Sequence, residues 1–136
     1  MLKIEDLSVN YGHISALRNV SFEVPENKIV SLIGANGAGK TTTLMSISGM
    51  IAKAGGKITF EGKDITNMKA HNITSLGICQ VPEGRRVFPK LSVEENLTTG
   101  TFGKKGMSKA QAQQLRDEMY EIFPRLKERR TQFAGT

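Results

Sequence analysis

The chain has 136 residues, of which 38% are hydrophobic and 24% charged, a composition typical of one folded soluble domain. It has no apolar run of about 18 residues and no apolar signal core after Met1, which excludes a membrane-spanning helix and favours the cytoplasm. The single Cys79 excludes an intrachain disulfide. The net charge of +6 comes from scattered Lys and Arg, with two Tyr and no Trp, so we interpret it as solvated surface rather than a nucleic-acid-binding face.

The first part of the chain has the pattern of an α/β domain. The run at 29–33 is almost wholly apolar, which predicts a strand buried in a parallel sheet. A glycine-rich turn follows it, and residues 42–48 can form the first turns of a helix. A break is expected at 54–56 and a turn at 61–64. In chain order, we predict strands at 2–9, 20–24, 29–33, 57–60 and 76–81.

The second part of the chain is predicted to be helical. Residues 92–95 have the S-x-x-E form and residues 108–111 the S-x-x-Q form of a helix capping box. They predict helices that run to about Thr99 and Phe123, with Pro124 in a boundary or first-turn position. The two helices are joined by a basic, flexible link at 103–106. Residues 1–82 therefore form the expected α/β core, and residues 83–136 a helical appendage.

The glycine-rich turn fits G-x-x-x-x-G-K-[ST], the phosphate-binding P-loop, and has the strand and helix that this loop requires on either side. Its glycines allow backbone amides to approach phosphate closely, and the following helix adds the positive end of its dipole. A chance glycine-rich turn is the alternative, but it would not require those flanking elements. The predicted nucleotide-binding residues are Gly34, Ala35, Asn36, Gly37, Ala38, Gly39, Lys40, Thr41 and Thr42.

Three side chains of the loop have distinct expected tasks. Lys40 supplies a positive charge for the β- and γ-phosphates, and the Thr41 hydroxyl is a ligand for Mg²⁺. Thr42 adds a second hydroxyl near the α- and β-phosphates. The sequence therefore predicts a protein that binds a nucleoside triphosphate together with Mg²⁺.

Several motifs occur in the order found in the ATP-binding subunits of ABC transporters, and the sequence resembles that family over its whole length. These motifs are Leu7-Ser8-Val9-Asn10-Tyr11-Gly12, the P-loop, Val81-Pro82-Glu83 and Leu91-Ser92-Val93-Glu94-Glu95-Asn96-Leu97. Residues 81–89 and 123–129 are similar to an ATPase of bacterial branched-chain amino-acid importers. The resemblance implies an α/β P-loop NTPase core of the ABC type, with a β-rich N-terminal part and the start of a helical subdomain.

The resemblance also implies roles for single residues. Tyr11 matches the aromatic residue that stacks on the adenine ring. Glu83 lies where most relatives have the glutamine of the Q-loop, so it is expected near the nucleotide and as a ligand or neighbour of Mg²⁺. Gln80, three residues upstream and within a predicted strand, is not expected to substitute for that glutamine.

The family implies an ATP-binding subunit that couples ATP binding and hydrolysis to the uptake of branched-chain amino acids. It would be cytoplasmic, peripheral on the inner face of the membrane, and paired head-to-tail with a second ATPase subunit. Permease subunits would contact the surface around Arg85, Arg86 and Phe88, and a periplasmic binding protein would act indirectly. No nucleic-acid partner is expected.

The family's signature motif, its Walker B aspartate and its catalytic glutamate would follow Thr136, so we expect a truncated domain with no catalytic residue. Such a fragment would bind ATP but would not hydrolyse it efficiently. Two other functions stay open at this point. One is a soluble ABC-type ATPase that acts on nucleic acid or ribosomes; the other is a different P-loop enzyme, such as a small-molecule kinase. A GTPase is disfavoured because N-K-x-D is absent.

Overall fold

The computed structural model describes residues 1–84, 86–102 and 106–136. The chain divides into two compact units, Met1–Gln80 and Val81–Thr136. The first unit contains β1 (Leu2–Tyr11), β2 (Ile14–Val24), α1 (Lys40–Ile47), β3 (Gly55–Phe60), β4 (Lys63–Asp64) and α2 (Ala70–Ser75). The second unit contains α3 (Val93–Thr99), α4 (Lys109–Ile122) and α5 (Pro124–Glu128).

The first unit is built on an antiparallel sheet with strand order β2-β1-β3-β4. Ile4 and Leu7 of β1 are both buried although an odd spacing would put them on opposite faces of a regular strand. The register shifts between them, and Asp6 has a left-handed φ of 49°. This bulge returns both side chains to the core, where they cluster with Ile58 of β3 and Ile73 of α2.

The strands predicted at 2–9, 20–24 and 57–60 are confirmed, and so is the helix after the glycine-rich turn. β3 begins at Gly55, inside the predicted break, and β4 occupies the end of the predicted turn at 61–64. Helix α2 has no counterpart among the predicted elements. Its isoleucine, Ile73, is fully buried, so tertiary packing supports a short segment that carries no helix signal of its own.

The strands predicted at 29–33 and 76–81 are wrong, because neither segment is in a strand. Ile29 is 99% exposed and Ile33 94% exposed. A strand of a parallel sheet depends on hydrogen-bonded neighbours on its two edges and covered faces. Among the described residues, no strand pairs with either segment, so their apolar composition alone does not produce a strand.

Both predicted capping boxes of the second unit are confirmed. In α3 the Glu95 amide donates to the Ser92 hydroxyl at 3.2 Å, and the Ser92 amide donates to the Glu95 carboxylate at 2.7 Å. Ser108 and Gln111 make the same reciprocal pair at the start of α4. Pro124 opens α5, as the first-turn prediction required. Most of the predicted link at 103–106 lies outside the described residues.

Helices α3 and α4 are joined by a polar contact as well as by packing. The Arg116 guanidinium donates to the Thr98 hydroxyl at 3.0 Å and lies 3.5 Å from the Glu94 carboxylate. Tyr120 of α4 is buried nearby, and burial, with a smaller effect of the Glu94 charge, raises the pKa of its hydroxyl. No described helix is both long enough and apolar enough to cross a membrane.

Candidate nucleotide-binding site

The glycine-rich loop leads directly into α1. The Ala38 amide donates to the Ala35 carbonyl at 3.1 Å, which closes the turn, and Gly39 then caps the helix with a left-handed φ of 87°. No side chain caps this end of the helix. The amides of the first turn have no acceptor within the helix, so the loop exposes a group of donors at the positive end of a helix dipole. This is the geometry of an anion site.

Gly39 is also the point where the loop rests on the sheet. A Cβ atom on Gly39 would lie 2.4 Å from Cδ2 of Leu17 and 3.1 Å from the Ala16 carbonyl oxygen, so a side chain is excluded there. The Gly39 carbonyl in turn accepts from both the amide and the hydroxyl of Thr43, at 2.8 and 2.9 Å. The loop is therefore anchored by β2 on one side and by the first turn of α1 on the other.

Lys40 folds back across the mouth of the loop. Its Nζ donates to the carbonyl oxygens of Gly34 and Ala35, each at 2.8 Å. The ammonium group therefore lies beside the same turn whose amides form the anion site. A positive charge in this position adds to the attraction for a phosphate.

Thr41 and Thr42 follow in the first turn of α1, where Thr41 is exposed and Thr42 half-buried. No group of three or more His, Cys, Asp or Glu side chains suited to a metal ion exists in the described part of the chain. A magnesium ion at this loop would therefore take the Thr41 hydroxyl together with phosphate and water oxygens, which is the usual way that Mg²⁺ is held beside a nucleotide. The exposed hydroxyl fits that task.

Tyr11 lies close to the loop because of the β1–β2 hairpin. It pairs with Ile14 across the turn and is 48% exposed. Ala16 and Leu17, which contact Gly39, follow Ile14 on β2 after two and three residues. At about 3.3 Å per residue, Tyr11 is then roughly 10 Å along the sheet from the end of the loop. An exposed aromatic ring at that distance is suited to a base attached to bound phosphates.

Glu83 and Gln80 have different surroundings. Glu83 belongs to the second unit, where its side chain is exposed and its carbonyl accepts from Arg86 Nε at 3.3 Å. Gln80 belongs to the first unit and accepts from the Ser48 hydroxyl at 2.5 Å. Ser48 caps the C-terminal end of α1, about 12 Å from the end that faces the loop. Gln80 is thus held away from the phosphate-binding turn, although the strand that we expected around it is absent.

Three residues that position the loop were missed by the sequence analysis: Ala16, Leu17 and Thr43. The first two act through a contact between segments more than twenty residues apart, which no local pattern reveals. Thr43 could have been found from the sequence, since a Thr four residues after the last loop glycine can donate a hydrogen bond from its hydroxyl to the carbonyl of that glycine.

A glycine-rich turn that ends in Gly-Lys-Thr and leads directly into a helix is characteristic of the P-loop nucleotide-binding proteins. Within this class the chain belongs to the ABC transporter family, which its residues 17–134 match. Domains of this family bind ATP.

The chain is similar to transport proteins of known type. It is 48% identical over 136 residues to the high-affinity branched-chain amino acid transport ATP-binding protein BraG of Pseudomonas aeruginosa, covering 100% of this chain and 57% of that protein. It is 36% identical over 123 residues to the lipopolysaccharide export system ATP-binding protein LptB of Haemophilus influenzae, covering 90% of this chain and 51% of that protein. The chain thus spans about half the length of these relatives.

The fold has solved counterparts. The structure of an ATP-binding subunit of an ABC transporter superposes with a TM-score of 0.82 at 30% sequence identity. That superposition covers 97% of this chain and 53% of the other. The fold class expected from the sequence is confirmed by this likeness.

Proposed function

We propose that this chain is the ATP-binding portion of an ABC importer that takes up branched-chain amino acids. The observation that carries the proposal is the P-loop, with Lys40 and the exposed amides of α1 at one end of the sheet. The identity of 48% to a branched-chain amino acid transport protein, against 36% to a lipopolysaccharide export protein, favours the importer. Residues 1–82 would form the nucleotide-binding core and residues 83–136 the start of the helical subdomain.

The residues of the loop would divide the work of binding. The backbone of residues 34–39 and the ammonium of Lys40 would hold the phosphates, and Tyr11 would stack on the adenine. The Thr41 hydroxyl would hold Mg²⁺, which supplies charge neutralisation at the phosphates when bound. Thr42 would contribute a second hydroxyl, and Glu83 would be a further neighbour of the metal.

The second unit would connect the ATPase to the membrane. Arg86 and the exposed ring of Phe88 are our proposed contacts with permease subunits, and Arg85, proposed with them, lies outside the described residues. The chain would then act at the cytoplasmic face of the membrane, with a second ATPase subunit as its head-to-tail partner and a periplasmic binding protein acting indirectly. We do not propose the nucleic-acid alternative, since both relatives reported above serve transport.

A titration with a fluorescent ATP analogue, with and without Mg²⁺, tests the nucleotide site. We expect Lys40→Ala to weaken binding by at least about tenfold, because a charge-assisted contact to phosphate is lost. Lys63→Ala is the matched control, since it removes an equal charge from an exposed position on β4. Equal affinity for the wild type and Lys40→Ala would contradict the proposal.

The same protein tests two finer points. Tyr11→Ala should weaken ATP but leave inorganic triphosphate unaffected, because only ATP carries a base to stack. Hydrolysis by residues 1–136 should be far slower than nucleotide exchange, since no apolar run in the sequence ends in the Asp-Glu pair of the family. Turnover at a rate of about 1 s⁻¹, within the ordinary range of enzymes, would contradict this expectation.

A further inference from the structure

The phosphate-binding turn contains an asparagine, Asn36, that is followed directly by a glycine, Gly37. An asparagine before a glycine is chemically reactive, because glycine lacks the Cβ that otherwise shields its backbone nitrogen from the asparagine side chain. The other six asparagines of the sequence precede residues that have a side chain: Asn10, Asn19, Asn27, Asn67, Asn72 and Asn96.

Both groups that would react are accessible. Asn36 and Gly37 are exposed. In the described part of the chain, neither the Asn36 carboxamide nor the Gly37 backbone amide makes a hydrogen bond, although the residues on either side do. Gly37 has a φ of 82°, and a Cβ there would meet nothing within 4 Å. The space beside the Gly37 nitrogen is therefore open to the asparagine side chain.

Asn27 provides a matched comparison within the same chain. It is likewise exposed and lies in a turn, with a left-handed φ of 56°. The backbone amide that follows it belongs to Lys28 and donates to the Pro25 carbonyl at 3.3 Å. At this turn the nitrogen that would react is both shielded by a side chain and engaged in a hydrogen bond. Exposure in a turn is thus common to Asn27 and Asn36, but only Asn36 faces an accessible nitrogen.

We propose that Asn36 is a site of spontaneous deamidation, and that the reaction inactivates the nucleotide site by placing a carboxylate in the phosphate-binding turn. The backbone nitrogen of Gly37 attacks Cγ of Asn36 and closes a succinimide ring. The bond from Cγ to Nδ2 breaks, and the side-chain nitrogen leaves as ammonia with the proton lost by the Gly37 amide. One water molecule then opens the ring at either carbonyl, which leaves aspartate or isoaspartate at position 36.

The consequence for binding follows from charge and from spacing. The new carboxylate lies in the turn whose amides form the anion site, so it repels a phosphate and attracts the ammonium group of Lys40. In the isoaspartate product the main chain runs through the former side chain and gains a methylene, which changes the spacing of the loop amides. This part of the inference rests on the function proposed above. Bound ATP should slow the reaction, since its phosphates would accept hydrogen bonds from the loop amides.

The test ages the purified 136-residue protein at mildly alkaline pH and follows it by peptide mapping with mass spectrometry. We expect conversion at Asn36 before any other asparagine, with Asn27 as the internal control, and slower conversion when ATP and Mg²⁺ are present. Aged samples should lose binding of the fluorescent ATP analogue in proportion to the converted fraction. Asn36→Asp, which carries one product from the start, should bind the analogue at least about tenfold more weakly than fresh wild type, because a like charge is added beside the phosphates.

Asn36→Gln separates deamidation from other effects of ageing. Its side chain keeps the amide but is one methylene longer, so ring closure is disfavoured and the aged variant should keep its own starting affinity. The proposal is overturned if Asn36 stays intact, if Asn27 converts as fast, or if converted protein binds the analogue as well as fresh protein does. Conversion is measured by mass and needs no nucleotide. Failure of fresh wild type to bind the analogue would therefore count against the nucleotide site, not against the reaction at Asn36.

Discussion

Strand β1 and the run at 29–33 both carry apolar side chains, and the run at 29–33 is the more apolar of the two, but only β1 is a strand. β1 is hydrogen-bonded on both edges, to β2 and to β3, and its Ile4, Leu7 and Val9 are buried. The run at 29–33 pairs with no strand among the described residues, and both of its isoleucines lie almost fully in solvent. An apolar segment thus becomes a strand only where neighbours satisfy its backbone and cover its side chains.

The largest expected difference between these regions is in the free energy of unfolding. Leu7→Ala should cost about 2–5 kcal/mol, because it leaves a cavity in a packed core. Ile33→Ala should change stability by less than about 0.5 kcal/mol, since its side chain touches little. Urea denaturation of both variants measures the contrast. A cost for Ile33→Ala comparable to that of Leu7→Ala would show that the run is packed in solution.

A somewhat smaller effect is expected where β3 crosses the bulge of β1. Gly56 has a φ of 92°, and a Cβ there would lie 2.6 Å from the backbone carbonyl of Asp6. Gly56→Ala should cost about 2–3 kcal/mol from strain and overpacking together. Gly62 has a comparable φ of 79° but open space around it, so Gly62→Ala should cost only about 1 kcal/mol. Thermal unfolding of the two variants separates the cost of the close Cβ contact, which exists only at Gly56, from the cost of a positive φ, which exists at both positions. Equal losses of stability would contradict the tight β1–β3 pairing.

The smallest effect on stability concerns the start of α3, where the reciprocal hydrogen bonds of Ser92 and Glu95 satisfy two backbone amides. Hydrogen bonds from the amide and hydroxyl of Ser92 lower the pKa of Glu95 below its ordinary value of 4.5. The stabilisation is therefore complete above pH 4.5 and is lost as the pH falls through the lowered pKa. The hydrogen-exchange protection factors of residues 93–99, which are corrected for the pH dependence of the intrinsic exchange rate, should therefore fall as the pH is lowered over that range in the wild type.

Glu95→Gln should make this loss of protection smaller across the same range, because position 95 then carries no charge that titrates. Glu121→Gln, at an exposed position on α4, is the control and should retain the wild-type profile. An unchanged profile for Glu95→Gln would show that another group causes the pH dependence.

The elements that could be predicted are those whose determinants are local. Both capping boxes could be predicted because their donors and acceptors are three residues apart. Residues 20–24 of β2 could be predicted from their alternation, whereas the part of β2 before Val20 was not predicted. Whether the run at 29–33 forms a strand could not be predicted from its own residues, because a strand needs hydrogen-bonded partners from other parts of the chain. Among the described residues it has none. Helix α2 was missed for a related reason: the burial of Ile73, rather than a cap or a periodic pattern, supports it.

The candidate site divides in the same way. The motif itself identified the loop and the residues that would hold phosphate and Mg²⁺. The contact between Gly39 and Leu17, which brings the Tyr11 hairpin to the loop, is a tertiary contact and needed the structure. The roles of Tyr11, Glu83 and the loop residues stay predictions until the nucleotide titrations are made.

The two bonds from Lys40 to Gly34 and Ala35 have a consequence for how a nucleotide would enter. Because the lysine crosses the turn and donates to two of its carbonyl oxygens, it restrains the loop from within the chain. Part of the entropic cost of ordering residues 34–39 is then incurred on folding rather than on nucleotide binding. Lys40 is thus both a scaffold and a counter-ion, and its removal should loosen residues 34–39 even in the absence of nucleotide.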